Sequence, residues 1–541
     1  MNDLQFASVW ERVADQQPTH TALVCGDEVV TWRDYDDRAA RIAGFLRQRG
    51  LGADSKVGIY MHNRNEYLEA QFGAFKLRGA SVNVNYRYRA DELVYLLEDS
   101  DAQAVFFQGC YAERIAEIRD RLPRVTTYVQ IADGEAPLLD GAFDYEQVIA
   151  DSEPMPRIER SGDDVYMLYT GGTTGMPKGV MYGHGQLIPM MMTRVAARAG
   201  VDVPTCLDEV PPALEAMREA GFDPVALAPC PLMHGTGMWI GALMPLLVGG
   251  STVTLGVAGL DPHLIWSEVQ RNRCTHIAIV GDAFAKPMLA ALDEAADRGC
   301  PYDLSSLQSI RSSGVMWSAE VKQGLLRHRD MMLVDSMSSS EGRMGESVAT
   351  REHSPGTAKF ELNEGVKVFT DDDREVRPGS GERGRLATSG LVPLGYYGDP
   401  EKSEKTFREV DGVRYSFPGD YATIEADGSI TLLGRGSNCI NTAGEKVYPE
   451  EVEEALKRHP QVYDCLVVGM ADEKFGQRIV AVASAEQGAA LDARALIDFT
   501  RQHLAGYKLP KQVVFVDEVR RAANGKADYV WARAQAEAAL P

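Results

Sequence analysis

Apolar residues occur along the chain in two patterns, at helical spacing and in short continuous runs, and these patterns predict its helices and strands. In the N-terminal part, helical spacing predicts a helix over residues 32–49 that ends at Gly50, and another over residues 67–77. Short apolar runs at residues 56–61 and 104–107 predict buried strands. Strands that alternate with helices in this way are typical of α/β layers with largely parallel sheets.

The C-terminal part repeats the pattern on a smaller scale. Residues 449–460 open and close with proline, carry acids in the first turn and bases in the last, and therefore predict a helix. Apolar runs at residues 465–469 and 479–482 predict strands, and residues 493–504 predict a further helix. The pattern indicates a compact α/β domain at this end of the chain.

One long uncharged stretch, residues 238–260, raises the alternative of a membrane span. Pro245, a Gly-Gly pair at residues 249–250 and the polar run 251–254 interrupt it, so we predict a buried helix, a turn and a strand. We therefore expect no integral membrane segment. The first 17 residues mix charges with apolar residues and lack a signal-peptide core, which predicts a cytoplasmic location.

Length, charge and cysteine spacing narrow the class of protein. A chain of 541 residues exceeds what one hydrophobic core supports and implies at least two domains. The net charge of −22 argues against nucleic acid as a partner, so anionic ligands would need local cationic sites. The 8 cysteines show no C-x-x-C spacing, which indicates reduced, mostly buried thiols and neither a zinc site nor a redox pair.

The strongest candidate chemistry lies in residues 169–180, which read Tyr-Thr-Gly-Gly-Thr-Thr-Gly-Met-Pro-Lys-Gly-Val and follow a predicted buried strand. Glycines let backbone N–H groups approach a ligand, and threonine hydroxyls and a lysine add donors for phosphate oxygens. A phosphate cradle is the favoured interpretation, and a flexible surface loop is the alternative. It is not a Walker A loop, because Pro177 and not glycine precedes Lys178.

This stretch resembles the phosphate loop of the adenylate-forming enzymes, which include acyl-CoA synthetases, peptide-synthetase adenylation domains and luciferases. Gly171 stands where the family usually has serine, as in its fatty-acyl-CoA ligase branch. Together with residues 335–341 and 440–451, the stretch looks closest to actinobacterial ligases for long-chain acids and steroid side chains. The resemblance implies a large N-terminal multi-sheet α/β domain (1–434), a hinge (435–437) and a small mobile C-terminal α/β domain (438–541).

The resemblance implies a site for ATP and Mg²⁺. Glu341 matches the magnesium-binding glutamate, and Mg²⁺ is satisfied by one hard carboxylate together with phosphate oxygens and water. Asp420 matches the acceptor of the ribose hydroxyls. Ser338 and Ser340 replace a glycine and a threonine of the family motif. The implied nucleotide-binding residues are Thr170, Gly171, Gly172, Thr173, Thr174, Gly175, Lys178, Ser313, Gly314, Val315, Asp335, Ser336, Ser338, Ser339, Ser340, Asp420 and Arg435.

Catalysis is implied for Lys526, which follows Asn-Gly in the last family motif, for Thr173 and for His234. Without the motif series, Lys526 would be interpreted as a surface lysine at a turn. Ser437 stands where relatives have a hinge Asp or Lys, and its neighbour Gly436 allows a change of φ and ψ. The implied coenzyme A contacts are Gly444, Glu445, Lys446 and Lys508.

By resemblance, the chain activates a carboxylic acid with ATP to an acyl-adenylate and passes the acyl group to coenzyme A, releasing AMP and pyrophosphate. A homodimer is compatible with the resemblance. Two other classes stay open. One is a free-standing ligase that hands the adenylate to a carrier protein, or performs one half-reaction with a partner. The other is a nucleotide- or acyl-binding relative without catalysis, which the intact Lys178, Glu341, Asp420 and Lys526 disfavour.

The candidate acyl pocket follows His234 and includes residues 277–283. Small residues leave volume there and apolar ones favour burial, which predicts a bulky hydrophobic monocarboxylate. A terpenoid or steroid acid is the first expectation and a medium-to-long fatty acid the second. Neither stretch contains Lys or Arg, which disfavours a dicarboxylic acid. The predicted acyl-binding residues are His234, Gly235, Met238, Trp239 and Gly281.

Overall fold

The computed structural model describes residues 3–134, 136–170, 177–315, 317–357, 359–435, 438–442, 445–472, 476–504, 506–522 and 525–539. The helices are α1 (Phe6–Gln16), α2 (Trp32–Gln48), α3 (Asn65–Lys76), α4 (Ala90–Asp99), α5 (Ala112–Ile118), α6 (Tyr145–Asp151), α7 (His184–Ala199), α8 (Val210–Glu219), α9 (Met244–Leu247), α10 (Pro262–Asn272), α11 (Gly281–Asp297), α12 (Ala319–His328), α13 (Pro400–Thr406), α14 (Pro449–Lys457), α15 (Ala493–Thr500) and α16 (Tyr529–Ala539). A π-helix spans Thr236–Leu243.

The strands are β1 (Thr21–Cys25), β2 (Glu28–Thr31), β3 (Lys56–Tyr60), β4 (Ala80–Asn83), β5 (Ala102–Gln108), β6 (Thr127–Ile131), β7 (Phe143–Asp144), β8 (Val165–Thr170), β9 (Lys178–Gly183), β10 (Val225–Leu227), β11 (Ser251–Thr254), β12 (His276–Ile279), β13 (Ser309–Ser313), β14 (Met332–Ser339), β15 (Gly342–Ala349), β16 (Lys359–Leu362), β17 (Val366–Phe369), β18 (Arg383–Thr388), β19 (Gly395–Tyr396), β20 (Phe407–Val410), β21 (Val413–Ser416), β22 (Asp420–Ile424), β23 (Ile430–Arg435), β24 (Ile440–Thr442), β25 (Glu445–Val447), β26 (Val462–Asp472), β27 (Gly476–Ala485) and β28 (Gln512–Phe515).

The predicted parallel layer forms in the N-terminal part. Strands β4, β3, β5, β6 and β7 make a five-stranded sheet in that order, with every pair parallel. Neighbouring residues of β5 face different cores, since Phe106 packs into one apolar cluster and Phe107 into another. Helices cover both faces of such a sheet, which is why its strands are apolar along their whole length.

A 15-stranded sheet forms the second layer, and here the expectation of parallel strands holds only in part. Strands β1, β11, β10, β12, β13 and β14 pair in parallel. From β14 onwards the ladder is antiparallel, beginning with the β14–β15 hairpin. Hairpins need only short turns, whereas parallel pairs need long crossovers. In the described part of residues 332–448 the one α-helix, α13, has only 7 residues and is too short to supply such a crossover.

Two smaller sheets complete the fold. Strands β19, β9 and β8 make a three-stranded antiparallel sheet. At the C-terminal end, β25, β24, β27, β26 and β28 make a five-stranded sheet with its own apolar clusters under α14 and α16. Helix α14 begins at Pro449, as the sequence predicts, and carries acids in its first turn and Lys457 in its last.

The uncharged stretch behaves as predicted in outline. Residues 236–247 are helical, a turn follows, and β11 begins at Ser251. Among the helices in the described ranges, none has the length and apolar character that crossing a membrane requires. Among the cysteines only Cys230, Cys274 and Cys465 are fully buried, so the expectation of mostly buried thiols was wrong.

Candidate active site

The predicted phosphate loop lies between two strands. Thr170 at the end of β8 pairs with Lys178 at the start of β9, so the intervening loop is closed by an antiparallel pair. A third strand, β19, pairs Tyr396 with Val180. Gly171, Gly172, Thr173, Thr174 and Gly175 lie outside the described residues. The strands therefore position both ends of the predicted cradle.

Tyr396 connects the lysine of this loop with the predicted metal ligand. Its hydroxyl donates to Glu341 Oε1 at 3.0 Å, and the Lys178 ammonium lies 5.4 Å from the centre of its ring. Ser340 Oγ donates to Glu341 Oε2 at 3.0 Å, while Ser339 Oγ accepts from the Glu341 backbone N–H at 3.2 Å. The structure thus brings Lys178 and the 339–341 motif together around one tyrosine.

The Glu341 carboxylate fits the expected metal. It is half-buried and its two described contacts are with neutral hydroxyl groups. In the part of the chain that the structure describes, no group of three or more His, Cys, Asp or Glu side chains could hold a metal ion. A single hard carboxylate suits Mg²⁺ that takes its remaining ligands from phosphate oxygens and water.

A second group of predicted nucleotide contacts lies at the carboxyl ends of β13 and β14. Ser313 Oγ and Ser338 Oγ are 2.6 Å apart, and Thr236 Oγ1 donates to the Ser313 carbonyl at 3.3 Å. Gly314 follows with φ of +98°, a conformation that L side chains rarely adopt. Carboxyl ends of parallel strands are where α/β sheets bind ligands.

Asp335 and Asp420 differ sharply in their surroundings. Asp335 is buried and its Oδ2 lies 3.1 Å from Lys322 Nζ, and burial raises the pKa of Asp335 to about 6. The Asp335 carboxylate is thus engaged by the protein itself. Asp420 is half-buried at the start of β22, opposite Arg435 on β23, whose side chain lies outside the described part.

The predicted acyl segment is a π-helix, which is rare and is often found at functional sites. Trp239, from this helix, donates from Nε1 to the Tyr166 hydroxyl at 2.9 Å and packs edge-on against Tyr182 at 5.7 Å between ring centres. Tyr182 in turn donates to the Ser340 carbonyl at 2.9 Å. Met238 is buried and Gly235 half-buried, while the Gly281 N–H donates to Ser312 Oγ at 2.9 Å.

His234 lies directly before the π-helix and is kept neutral. Desolvation first, and then the positive charges of Lys526 and Arg87, lower the pKa of His234 to about 3. A neutral imidazole can accept a hydrogen bond or pack against an acyl group, whereas a charged one would disfavour an apolar ligand.

Lys526 reaches this site from the C-terminal part of the chain. The hairpin that carries it is held by Arg521, which bonds both oxygens of Asp464 at 2.6 and 2.7 Å and the Gly525 carbonyl at 3.1 Å. A β-carbon added at Gly525 would lie 3.1 Å from Ala283 Cβ and 3.2 Å from Val280 Cγ1. The loop before Lys526 therefore packs closely on the junction of β12 and α11.

The remaining predicted contacts are more remote or undescribed. Lys508 forms an ion pair with Glu451 at the start of α14. Ser437 and Gly444 lie outside the described residues, as do the side chains of Glu445 and Lys446. Val315 is half-buried after Gly314, and Ser336 Oγ lies 3.4 Å from Glu346 Oε1.

Two asparagines that the sequence analysis did not predict connect distant segments of the site through hydrogen bonds to their backbones. Asn83 Oδ1 accepts from the Tyr169 N–H at 2.7 Å, and Asn83 Nδ2 donates to the Tyr169 carbonyl at 2.8 Å and the Met233 carbonyl at 2.5 Å. Asn63 Nδ2 donates to the carbonyls of Ala228 and Cys230. Asn83 is the last residue of β4, and Asn63 follows the end of the neighbouring parallel strand β3 by three residues. Their position at the carboxyl ends of these strands was the signal that could have found them.

Two protein-family models match this chain. Residues 10–397 match the family described as AMP-binding enzyme, and residues 451–526 match the AMP-binding enzyme C-terminal domain. The chain belongs to the AMP-binding enzyme family. The resemblance to adenylate-forming enzymes expected from residues 169–180 is thereby confirmed.

Several curated members of the AMP-binding enzyme family align over nearly the whole chain. A 3-oxocholest-4-en-26-oate–CoA ligase of Rhodococcus rhodochrous is 40% identical over 98% of this chain and 96% of its own. A medium/long-chain-fatty-acid–CoA/3-oxocholest-4-en-26-oate–CoA ligase of Mycobacterium tuberculosis is 39% identical over 99% and 96%. A feruloyl-CoA synthase of an Amycolatopsis species is 32% identical over 95% and 96%.

Two solved structures share the fold of this chain. An anthranilate CoA ligase in complex with anthranoyl-AMP aligns with a TM-score of 0.85 at 23% identity, over 100% of this chain and 98% of its own. ATP-bound MatB from Rhodopseudomonas palustris aligns with a TM-score of 0.81 at 23% identity, with both chains covered completely. The predicted large α/β domain followed by a smaller C-terminal one is confirmed.

Proposed function

We propose that this AMP-binding enzyme is an ATP-dependent acyl-CoA synthetase that forms an acyl-adenylate and then an acyl-CoA. The proposal is carried by the packing of Gly525, the residue before Lys526, against Val280 and Ala283, which belong to a distant part of the chain beside the candidate acyl segment. Lys526 near this segment, together with Lys178 and Glu341 around Tyr396, suits a reaction between a carboxylate and a triphosphate. The named CoA ligases among the relatives support the same activity.

In the first half-reaction a carboxylate oxygen of the acid attacks the α-phosphorus of ATP, and the bond to pyrophosphate breaks. Negative charge grows on the phosphate oxygens, so preorganised donors lower the barrier. We assign this role to Lys526, Lys178, Thr173 and the other donors of residues 170–178, with Glu341 holding Mg²⁺. When bound, the Mg²⁺ ion would neutralise phosphate charge.

In the second half-reaction the sulfur of coenzyme A attacks the acyl carbon, and AMP leaves. Pantetheine needs a path to the acyl carbon, so we propose that the C-terminal domain, residues 438–541, rotates about residues 435–437 and withdraws Lys526. Ser437 and Gly436 are small residues that suit such a hinge. Gly444, Glu445, Lys446 and Lys508 are the proposed coenzyme A contacts.

The substrate that we favour is a bulky hydrophobic monocarboxylate, a steroid or terpenoid acid first and a medium-to-long fatty acid second. The π-helix after His234 offers an apolar wall of Met238 and Trp239. The relatives named for 3-oxocholest-4-en-26-oate and for medium and long fatty acids support this choice. Burial of apolar substrate surface at about 25 cal/mol per Å² would favour large acids over acetate.

The test is pyrophosphate release with and without coenzyme A, across acetate, benzoate, octanoate, palmitate and a polycyclic acid, together with acyl-CoA detection. We expect acyl-CoA formation with the highest kcat/KM on the polycyclic acid or palmitate. Pyrophosphate without acyl-CoA would favour a ligase that serves a carrier protein. Thioester formation only from supplied acyl-adenylate would indicate a single half-reaction, and no turnover of either kind would indicate a non-catalytic relative.

A further inference from the structure

Three charged side chains meet between helix α7 and the β14–β15 hairpin. Arg194, on α7, and Arg343, on β15, both form ion pairs with Glu346 of β15. Ser336 Oγ lies 3.4 Å from the same carboxylate. We call Arg194, Arg343 and Glu346 the arginine pair and its bridging glutamate.

This group lies on the side of β14 and β15 that the candidate acyl segment contacts. Ser336 pairs with Glu346 and Ser338 pairs with Arg343, and cross-strand partners point to the same face of a sheet. Ser338 contacts Ser313, which accepts a hydrogen bond from Thr236, the first residue of the π-helix. The arginine pair and the π-helix therefore lie on the same side of these strands, and the space on that side is the candidate acyl space.

The arginine pair and its bridging glutamate also lie at a distance from Glu341, near which the carboxylate of the substrate would react. Ser336 precedes the end of β14 at Ser339 by three residues, or about 10 Å of extended strand, and Glu341 lies beyond. An acid whose carboxylate reacts near Glu341 would bring its far end towards Ser336 only if it were long or polycyclic. Acetate and benzoate would be too short.

The charges of the group do not balance. Two guanidinium groups share one carboxylate, which leaves one positive charge in excess. Their side chains are 37% and 29% exposed, and Glu346 is 11% exposed. Within the described chain, the two guanidinium groups direct side-chain bonds only to Glu346, so further N–H donors stay available.

We propose that Arg343 and Arg194 bind an oxygen acceptor on the far end of the acyl substrate. The substrate class is then a hydrophobic acid that carries an oxo, hydroxyl or carboxylate group remote from the carboxylate that reacts. This inference rests on the proposed function and narrows its substrate. It also reopens the dicarboxylic acid that the sequence disfavoured, because these two arginines lie outside the stretches on which that expectation was based.

A purely structural role would look different. A structural arginine pair is present at Asp373, which Arg385 and Arg408 share, and there Arg385 also donates to the carbonyls of Thr370 and Asp371. At the bridging glutamate the second guanidinium increases the desolvation cost without a second anion to offset it. A ligand oxygen would supply that missing partner.

The experiment compares matched acids on the full-length enzyme. The pairs are dodecanoate with 12-hydroxydodecanoate, dodecanoate with dodecanedioate, and a polycyclic acid with and without a ring oxo group. For at least one pair the wild type should prefer the oxygenated member by about tenfold in kcat/KM, the range of one charge-assisted hydrogen bond. A preference within the hydroxyl or oxo pairs would indicate a neutral acceptor, and a preference within the dodecanedioate pair would indicate a carboxylate.

Arg343→Met keeps the apolar stem and removes the charge. It should abolish that preference while changing kcat/KM on the unsubstituted member less than twofold. Arg343→Lys should restore part of it, Arg194→Met should act like Arg343→Met, and Arg374→Met is the exposed control. The proposal would be overturned if Arg343→Met lost kcat/KM equally on both acids of a pair, or if the wild type preferred the oxygenated acid in none of the pairs.

Binding of the same acids, measured by calorimetry without ATP, separates this inference from the proposed reaction. An enzyme that turns over no acid but binds the oxygenated member more tightly, in an Arg343-dependent manner, would support the contact and refute the reaction. An enzyme that turns over plain acids but discriminates in neither assay would support the reaction and refute the contact.

Discussion

The hydroxyl of Tyr396 donates to Oε1 of Glu341 at 3.0 Å, and the same ring lies beneath the Lys178 ammonium. A hydrogen bond of this kind orients a carboxylate for a metal and lowers the cost of arranging it when the ion binds. Tyr396 itself is positioned by the β19–β9 ladder, so the phosphate-loop strand and the metal ligand are mechanically coupled.

Tyr396→Phe should therefore raise the Mg²⁺ concentration needed for half-maximal adenylation about tenfold or more, while apolar packing of the ring is retained. The measurement is pyrophosphate exchange as a function of Mg²⁺. The neighbouring Tyr397→Phe is the control, because its hydroxyl bonds Asp101 at 2.8 Å. An unchanged Mg²⁺ titration in Tyr396→Phe would count against Glu341 as the metal ligand.

Lys526→Ala should slow adenylation about 100- to 1,000-fold, the effect of removing one preorganised donor. Thioester formation from supplied acyl-adenylate should stay within a few-fold of wild type, because we place Lys526 away from the site in that step. Single-turnover assays of each half-reaction measure both effects. Lys359→Ala, an exposed lysine paired with Asp427, is the control. Equal losses in both steps would refute the role of Lys526.

Gly525→Ala tests the contact that brings Lys526 to the site. A methyl group there would press on Ala283 and Val280, and it would occupy a φ of +71° that L residues disfavour. We expect adenylation to fall about tenfold or more while thioester formation from acyl-adenylate persists.

Gly488→Ala separates the two causes. Gly488 has a similar φ of +79° but no atom within 4 Å of an added β-carbon. It should match the loss of stability in Gly525→Ala without the loss of adenylation. If both variants adenylate equally well, the packing of Gly525 on Val280 and Ala283 has no role in the reaction.

Local rules account for the elements that the sequence predicts well. Helix α2 begins after Thr31, whose hydroxyl accepts from the Asp34 N–H, and ends within one residue of the predicted boundary. Glycine-rich and acidic motifs predict the phosphate loop and Glu341 because phosphate needs closely approaching donors and Mg²⁺ needs a hard carboxylate.

Pairings between distant segments are not encoded in a local pattern. Strand β1 lies beside β11, with Leu23 opposite Thr252, although more than 200 residues separate them. Asn83 joins Tyr169 to Met233, and Arg194 meets Glu346, in the same non-local manner. Periodicity reports which face of a segment is buried but not which segment covers it, so the partners in these contacts could not be predicted, even where a strand end marks a residue such as Asn83 as a candidate.

His184 makes the stability of the folded protein depend on pH. Its ring is fully buried at the start of α7, its Nδ1 accepts from the Phe6 N–H at 3.2 Å, and burial lowers its pKa to about 3. In the unfolded chain the pKa is about 6.5. Below that pH the unfolded state binds a proton that the folded state does not, so stability is complete above about pH 6.5 and falls as the pH falls towards 3.

Lowering the pH from 7.5 to 5 should reduce the free energy of unfolding by about 2 kcal/mol because of His184, since pH 5 lies about 1.5 pH units below the pKa of the unfolded state. His184→Asn keeps an acceptor near the Phe6 N–H but does not titrate. It should be less stable than wild type at pH 7.5, yet lose about 2 kcal/mol less on acidification. Urea unfolding at both pH values measures this difference, with exposed His353→Asn as the control. Because proton uptake by the unfolded chain causes the loss, an identical pH dependence in wild type and His184→Asn would mean that folded His184 titrates near its ordinary pKa.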